Sequence, residues 1–282
     1  MPLSSIPANV VLIPGWGFTP LVWDSLARSL AQTYEVRCPA LPGCAAETSE
    51  TSETPGVSRA SDSSTPGSQP APVDFEDFAR RLALEVPEGA LLCGWSLGGM
   101  IALQAALDFP RRFSGLVLIS ASPCFLQKPD WGCAQAPELL ESFADATAKD
   151  APGTLQRFNA LLNQGDARAR EATRTLSRAL PPAPDTASLL RGLEWLRRVD
   201  LRARVASIEI PVRLIHGDKD PLMPLEAARW MKAQLPNARL EILPGAAHAP
   251  FANHPETVAR WMLDDSFSSS QGKIDRNEPG IE

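Results

Sequence analysis

No apolar run in these 282 residues approaches the roughly 20 that span a bilayer, so a membrane protein is not expected. The amino-terminal Met1-Pro-Leu-Ser-Ser has neither the basic start nor the apolar core of a secretory signal, which points to a cytoplasmic location. Positive charge is not in excess either: a net charge of −6 argues against a general nucleic-acid binder. The five cysteines, Cys38, Cys44, Cys93, Cys124 and Cys133, are odd in number and lack metal-ligand spacing. They are expected as reduced thiols, and no metal or other cofactor is assigned. Histidine is scarcer still. With three in the whole chain, any general base has to be chosen among them.

What the sequence does contain is organised around Gly94-Trp95-Ser96-Leu97-Gly98-Gly99. A short apolar stretch, Gly89–Cys93, precedes it, and a strong helix former, Met100–Leu107, follows it. Strand, sharp turn and helix around G-x-S-x-G is the context of a nucleophile elbow. A serine at such a turn takes a strained backbone conformation, so its neighbours must be small. Gly94 and Gly98 meet that demand, and Gly99 lets the helix pack closely. The Ser96 hydroxyl then stands above the strand end, and the Leu97 amide at the helix amino terminus faces any oxyanion formed there.

In chain order, Val10–Ile13 is a short apolar strand leading into Pro14-Gly15-Trp16-Gly17-Phe18, whose glycines allow a backbone amide to approach a ligand. Trp16 is the candidate second oxyanion donor. A helix is expected over 20–31, a strand over 34–38 and a helix over 74–85. Between them, 45–72 is rich in Ser, Thr, Glu, Pro and Gly, with Val57 its single strongly apolar residue. Such a stretch cannot bury enough surface to offset its ordering entropy, and a disordered insertion in a surface loop is expected. Gly115–Ser120 is another buried strand.

From about 128 to 199 no strand pattern occurs, and proline-broken amphipathic helices are expected, a helical lid inserted between two core strands. Arg170, Arg174 and Arg178 share one helical face there, with Arg157 on the preceding helix. The segment 151–200 carries eight arginines against five acids. That excess is either a solvated face or a docking patch for an acidic partner or a phosphate. Strand character returns at 212–216 and 240–243. His248, in a small-residue loop just past the last strand, is the candidate general base. His216 lies in or at the end of a strand, and His254 precedes Pro255 at a helix start. Asp218 and Asp220 both follow the penultimate strand; Asp220, deeper in its loop, is the better-placed acid. The division expected is a core over 1–125, a lid over 126–200, a second core segment over 201–265 and a flexible tail over 266–282.

These segments resemble the α/β-hydrolase superfamily, in which nucleophile, acid and histidine follow in the order Ser96, Asp220, His248. The fold class implied is α/β, a mostly parallel doubly wound sheet with a helical lid inserted between core strands. More narrowly, Gly15-Trp-Gly17, Gly94-Trp-Ser-Leu-Gly-Gly99, Ala121-Ser-Pro-Cys-Phe125 and Ala247-His-Ala-Pro-Phe251 resemble the pimeloyl-[acyl-carrier protein] methyl ester esterases of biotin synthesis. The resemblance implies a cytoplasmic serine carboxylesterase without cofactor, expected as a monomer. It implies an acyl chain bound by Trp16, Phe125 and Phe158, and an acidic carrier protein docked by Arg157, Arg170 and Arg174. Two other possibilities stand beside it: a carboxylesterase for small free esters, and a non-enzymatic binding protein, which would not need serine, acid and histidine together.

Overall fold

The computed structural model describes residues 9–44, 55–59 and 74–264. Seven parallel strands form one sheet: β1 (Asn9–Ile13), β2 (Glu35–Cys38), β3 (Val57–Arg59), β4 (Leu91–Trp95), β5 (Gly115–Ile119), β6 (Val212–Gly217) and β7 (Ala238–Leu243), in the order β3-β2-β1-β4-β5-β6-β7. The helices are α1 (Asp24–Leu30), α2 (Phe75–Glu85), α3 (Leu97–Asp108), α4 (Pro137–Lys149), α5 (Ala151–Leu162), α6 (Ala169–Ser177), α7 (Thr186–Arg198), α8 (Leu225–Gln234), α9 (Pro250–Asn253) and α10 (Pro255–Leu263). Strands β4 and β5 read as continuous apolar runs because a parallel sheet covered by helices is buried on both faces; every residue of β4, β5 and β6 is buried, Arg213 and His216 of β6 included. No helix among the described residues is long and apolar enough to cross a membrane.

The chain builds outward from β1 to β2 and β3, then returns to the other side of β1 with β4. The order reverses between β1 and β4, and in open α/β sheets the crevice at the carboxyl ends of such strands is where ligands bind. Register sharpens the point. Ile13 pairs with Gly94, Trp95 with Ile119, Ile119 with Ile215, and Gly217 with Leu243. The carboxyl ends of β1, β4, β5, β6 and β7 therefore lie along one rim, and every candidate catalytic residue follows one of these ends.

Two expectations change. The stretch 45–72 is not wholly without structure: Val57–Arg59 forms the edge strand β3, with Val57 opposite Val36 of β2 and packed on the core. Its one apolar side chain found a sheet edge, which a composition average cannot anticipate. The remainder of that stretch, and the expected tail from 266, lie outside the described residues. The other change is at 20–31, where the expected single helix starts as a 3-10 turn over Pro20–Trp23 before α1. Between β5 and β6 the described chain is helical, with α4 to α7 and only isolated bridges.

Candidate active site

Ser96 sits between β4 and α3 with φ 56° and ψ −121°. Only one other non-glycine residue among those described, Ser120, has a positive φ. The strain is sustained by contacts that leave the flanking residues no freedom. A Cβ on Gly94 would meet the Gly98 carbonyl oxygen at 2.2 Å, and one on Gly98 would meet the Pro14 and Ile13 carbonyls at 2.3 and 2.4 Å. The Ser96 amide continues the ladder to Ile119 (3.0 Å) while its carbonyl starts the helix by accepting from Gly99 (2.9 Å). Locked from both sides, Ser96 holds its side chain at the rim. The Leu97 amide belongs to the first helical turn, whose donors have no partner inside the helix.

His248 follows β7 and is fully buried. Its Nδ1 lies 2.9 and 3.0 Å from the two carboxylate oxygens of Asp220, and its Nε2 has no hydrogen-bond partner among the described residues. Asp220 Oδ1 also accepts the amides of Leu222 and Met223, each at 2.9 Å. Burial pushes this carboxyl up, but the two neighbouring histidines and the backbone donors outweigh it and hold it below the ordinary carboxylate range. An ionised Asp220 fixes the His248 tautomer with Nε2 free to take a proton. Asp218 has a different part: its Oδ1 accepts the Gly245 amide at 2.6 Å, and Lys219 lies 3.7 Å from it. Gly217 permits this closeness, since a Cβ there would strike the Ala246 and Ala247 carbonyls at 2.2 Å.

A chamber opens beside Ser96, lined by Trp16 and Phe125 from the core loops, Leu139, Leu140 and Phe143 from α4, Phe158 from α5, Leu193 and Leu196 from α7, and Leu222. Apart from the serine, every lining residue among those described is apolar. Trp16 packs edge-on against Phe158 at 5.0 Å and donates its indole N–H to the Leu189 carbonyl of α7 at 2.8 Å. Gly192 allows that approach, since a Cβ would lie 2.6 Å from the Trp16 ring. The helical segment thus covers the rim and is bonded to the loop that carries the second candidate oxyanion amide.

Nearly the whole described core matches the model of the alpha/beta hydrolase family, over residues 10–261. The chain belongs to the alpha/beta hydrolase family. Within it, the chain is 39% identical to a pimeloyl-[acyl-carrier protein] methyl ester esterase of Aromatoleum aromaticum, over 91% of this chain and 97% of that protein. It is 35% identical to the protein of the same name from Edwardsiella ictaluri, over 91% and 92%. In fold it is similar to an esterase from Exiguobacterium antarcticum, with a TM-score of 0.74, 21% identity, and coverage of 92% and 91%.

In this hydrolase-family chain the structure brings Trp16, Ser96, Phe125 and Phe158 to one chamber, with the His248–Asp220 pair following the neighbouring strand ends. The arginines lie elsewhere. Arg157, Arg170 and Arg174 are exposed, and none is among the side chains that line the chamber. Arg157 is held by Asp150 (3.6 Å) and Thr154 (2.9 Å) of its own helical segment. Burial raises the Cys44 thiol to about 12 and the Cys93 thiol further, so neither offers a competing thiolate.

One residue that the sequence places at a strand end has a part beside the acid that the sequence alone does not assign. His216, at the end of β6, is buried with Nε2 2.7 Å from the Met223 carbonyl and 3.5 Å from Asp220 Oδ2. Burial pushes its pKa down despite the adjacent carboxylate, so it is a neutral ring that donates to Met223 and pins the turn carrying Asp220. The spacing His216-Gly-Asp-Lys-Asp220 was the available signal, four residues apart around a turn.

Proposed function

We propose that this protein is a serine esterase that hydrolyses the methyl ester of pimeloyl-[acyl-carrier protein], releasing methanol and leaving the carrier-bound acid for biotin synthesis. The observation that carries the substrate assignment is the similarity to two proteins of that name over more than nine-tenths of each chain. The chemistry is supported by the strained Ser96, the His248–Asp220 pair and the apolar chamber beside them.

His248 Nε2 takes the Ser96 proton as Oγ attacks the ester carbonyl, and Asp220 stabilises the imidazolium. The amides of Leu97 and Trp16 receive the oxyanion, each contributing about 3 kcal/mol to the transition state. Collapse of the tetrahedral species expels the methoxy group, which leaves as methanol with the proton from His248. Water, deprotonated by His248, then attacks the acyl-enzyme, and Ser96 departs with that proton restored. The polymethylene chain lies among Phe125, Phe143, Phe158 and the α7 leucines. The product carboxylate is ionised, and among the described residues no charged side chain lines this chamber to receive it. Its desolvation favours release. The helical segment acts as the lid, and its exposed arginines bind the acidic carrier.

A second possibility, a carboxylesterase for small free esters, is favoured by the same uncharged chamber, which asks only for an apolar acyl group. The deciding experiment is rescue of a biotin auxotroph that lacks its own esterase. Wild type restores growth without biotin and Ser96→Ala does not. Failure of wild type to rescue, with free-ester hydrolysis intact, leaves the second possibility.

A further inference from the structure

The carboxyl end of α5 and the turn from it to α6 touch both loops that carry the His248–Asp220 pair. The His248 amide donates to the Leu162 carbonyl (3.1 Å) and the Ala167 amide to the Gly245 carbonyl (2.8 Å). Gly165, at φ +89°, brings the turn against Lys219, so that a Cβ there would sit 3.4 Å from the Lys219 Cβ. At the centre is Asp166, whose carboxylate is divided between two elements. Oδ2 accepts the amide of Ala247, the residue immediately before His248, at 3.0 Å. Oδ1 accepts the amide of Arg168 at 2.7 Å and the side-chain amide of Asn253 at 3.1 Å, Asn253 being the last residue of α9.

An aspartate that only caps a helix directs its oxygens to that helix's own first amides. Asp150 does this on α5, accepting from Gly153 at 2.9 Å. Asp166 instead spends one oxygen, and half of the other, on chain eighty residues away. A carboxylate accepting backbone amides makes charge-assisted bonds, stronger than neutral ones. Ala247, just before His248, and Asn253, five residues after it, are thereby tied to the helical cover.

We infer that Asp166 is a positioning residue for His248, clamping the histidine loop to the turn that opens α6. This rests on the proposed serine-esterase chemistry. The clamp makes the cover and the general base one unit, because the covalent run from Asp166 to α6 is two residues. A shift of α6 is transmitted to Ala247 without passing through the chamber. Substrate still meets the same apolar walls when the clamp is lost, so the loss falls on proton transfer rather than on binding.

The test measures kcat and KM for 4-nitrophenyl acetate, well below the melting temperature of each variant. Asp166→Ala lowers kcat at least tenfold with KM within threefold of wild type. Asp166→Asn, which keeps one acceptor oxygen, falls between the two. Asp150→Ala is the matched control: it removes a carboxylate-to-amide bond, together with the pair to Arg157, from the same helical segment and leaves the bonds of the histidine loop in place. It lowers the melting temperature and keeps kcat within twofold. Phosphonylation of Ser96 by a fluorophosphonate, which needs His248 but not the acyl chamber, slows in Asp166→Ala in parallel with kcat. A kcat for Asp166→Ala within threefold of wild type overturns the inference, as does an equal loss in Asp150→Ala. Should Asp166→Ala not fold, Asp166→Asn decides, and a kcat indistinguishable from wild type overturns it. A wild type unable to hydrolyse the ester, or a Ser96→Ala as fast as wild type, would instead sink the underlying esterase chemistry.

Discussion

Trp95 donates its indole N–H to the carbonyl of His248 across 2.8 Å, joining the residue before the candidate nucleophile to the candidate general base. The two rings also stack at a tilt of 47°, their centroids 5.5 Å apart, and Phe251 packs edge-on against the indole at 5.2 Å. A strand end and a loop 153 residues apart in sequence are registered by this buried bond. Trp95→Phe preserves most of the packing and leaves the His248 carbonyl unpaired, at a cost of about 1–3 kcal/mol in stability. Urea unfolding should read that loss, and kcat for a short ester should fall by about tenfold, equivalent to about 1.4 kcal/mol of barrier. A variant with the stability loss but wild-type kcat would show that the bond serves folding alone.

The two aspartates after β6 separate cleanly. Asp220→Asn removes the charge that orients His248 and should cost several orders of magnitude in kcat. Asp218→Asn keeps an oxygen for the Gly245 amide, so kcat should stay within a few-fold and stability should drop by about 1 kcal/mol. Steady-state kinetics on both purified variants checks the pair, and a reversal of the two effects would move the acid's role to Asp218.

His216 and Asp220 give stability a defined pH dependence. His216 is depressed in the fold by burial, against the pull of Asp220, with His248 and Glu226 the other charged or titratable neighbours acting on it. Below its unfolded value of about 6.5 the unfolded chain takes up a proton that the fold resists, so stability falls as pH drops through that point. Asp220 is depressed as well. Its contribution is full above about 3.9, the unfolded value, and is lost as pH falls through its lower folded value. His216→Gln cannot take up the proton, so its unfolding free energy should vary less between pH 6.5 and 5 than that of wild type, measured by urea titration at each pH. An unchanged slope would count against His216 as its source.

The edge strand β3 should matter for stability. Val57→Asp places a charge where Val57 packs on the core opposite Val36. It should destabilise by about 1 kcal/mol, a lowering of roughly 2–4 °C in Tm for a domain of this size. Calorimetry checks it, and an unchanged Tm would return the strand to the status of a loose loop.

Charge reversal on α6 separates carrier-linked from free substrate. Arg170 and Arg174 are exposed, with no ion-pair partner among the described residues. Arg170→Glu with Arg174→Glu should raise KM for the carrier-linked ester and leave a short free ester unaffected. The carrier reaction alone should weaken with salt, since exposed charges are screened over about 8 Å at physiological ionic strength. Equal responses of both substrates would make these arginines a solvated face.

The elbow around Ser96, the alternation of strands with helices and the strand-free stretch before β6 were legible in the sequence because their causes are local. A glycine beside a strained serine, an apolar run of strand length and a proline at a helix start act within a few residues of chain. Histidine scarcity did the rest, since only His248 follows the last strand in a loop. What tertiary structure alone decided are contacts across large separations. The sequence itself favours Asp220 over Asp218; the structure alone shows Asp218 bonded instead to the Gly245 amide. The place of His216 beside Asp220 depends on the turn folding back on the strand end, and that of Val57 on a free sheet edge. The clasp of Asp166 on Ala247 joins residues 81 apart and has no sequence signature, because an aspartate near a helix start looks like any cap. Local sterics are written in neighbouring residues, whereas a hydrogen bond between distant loops exists only once the register of the sheet has set where each loop ends.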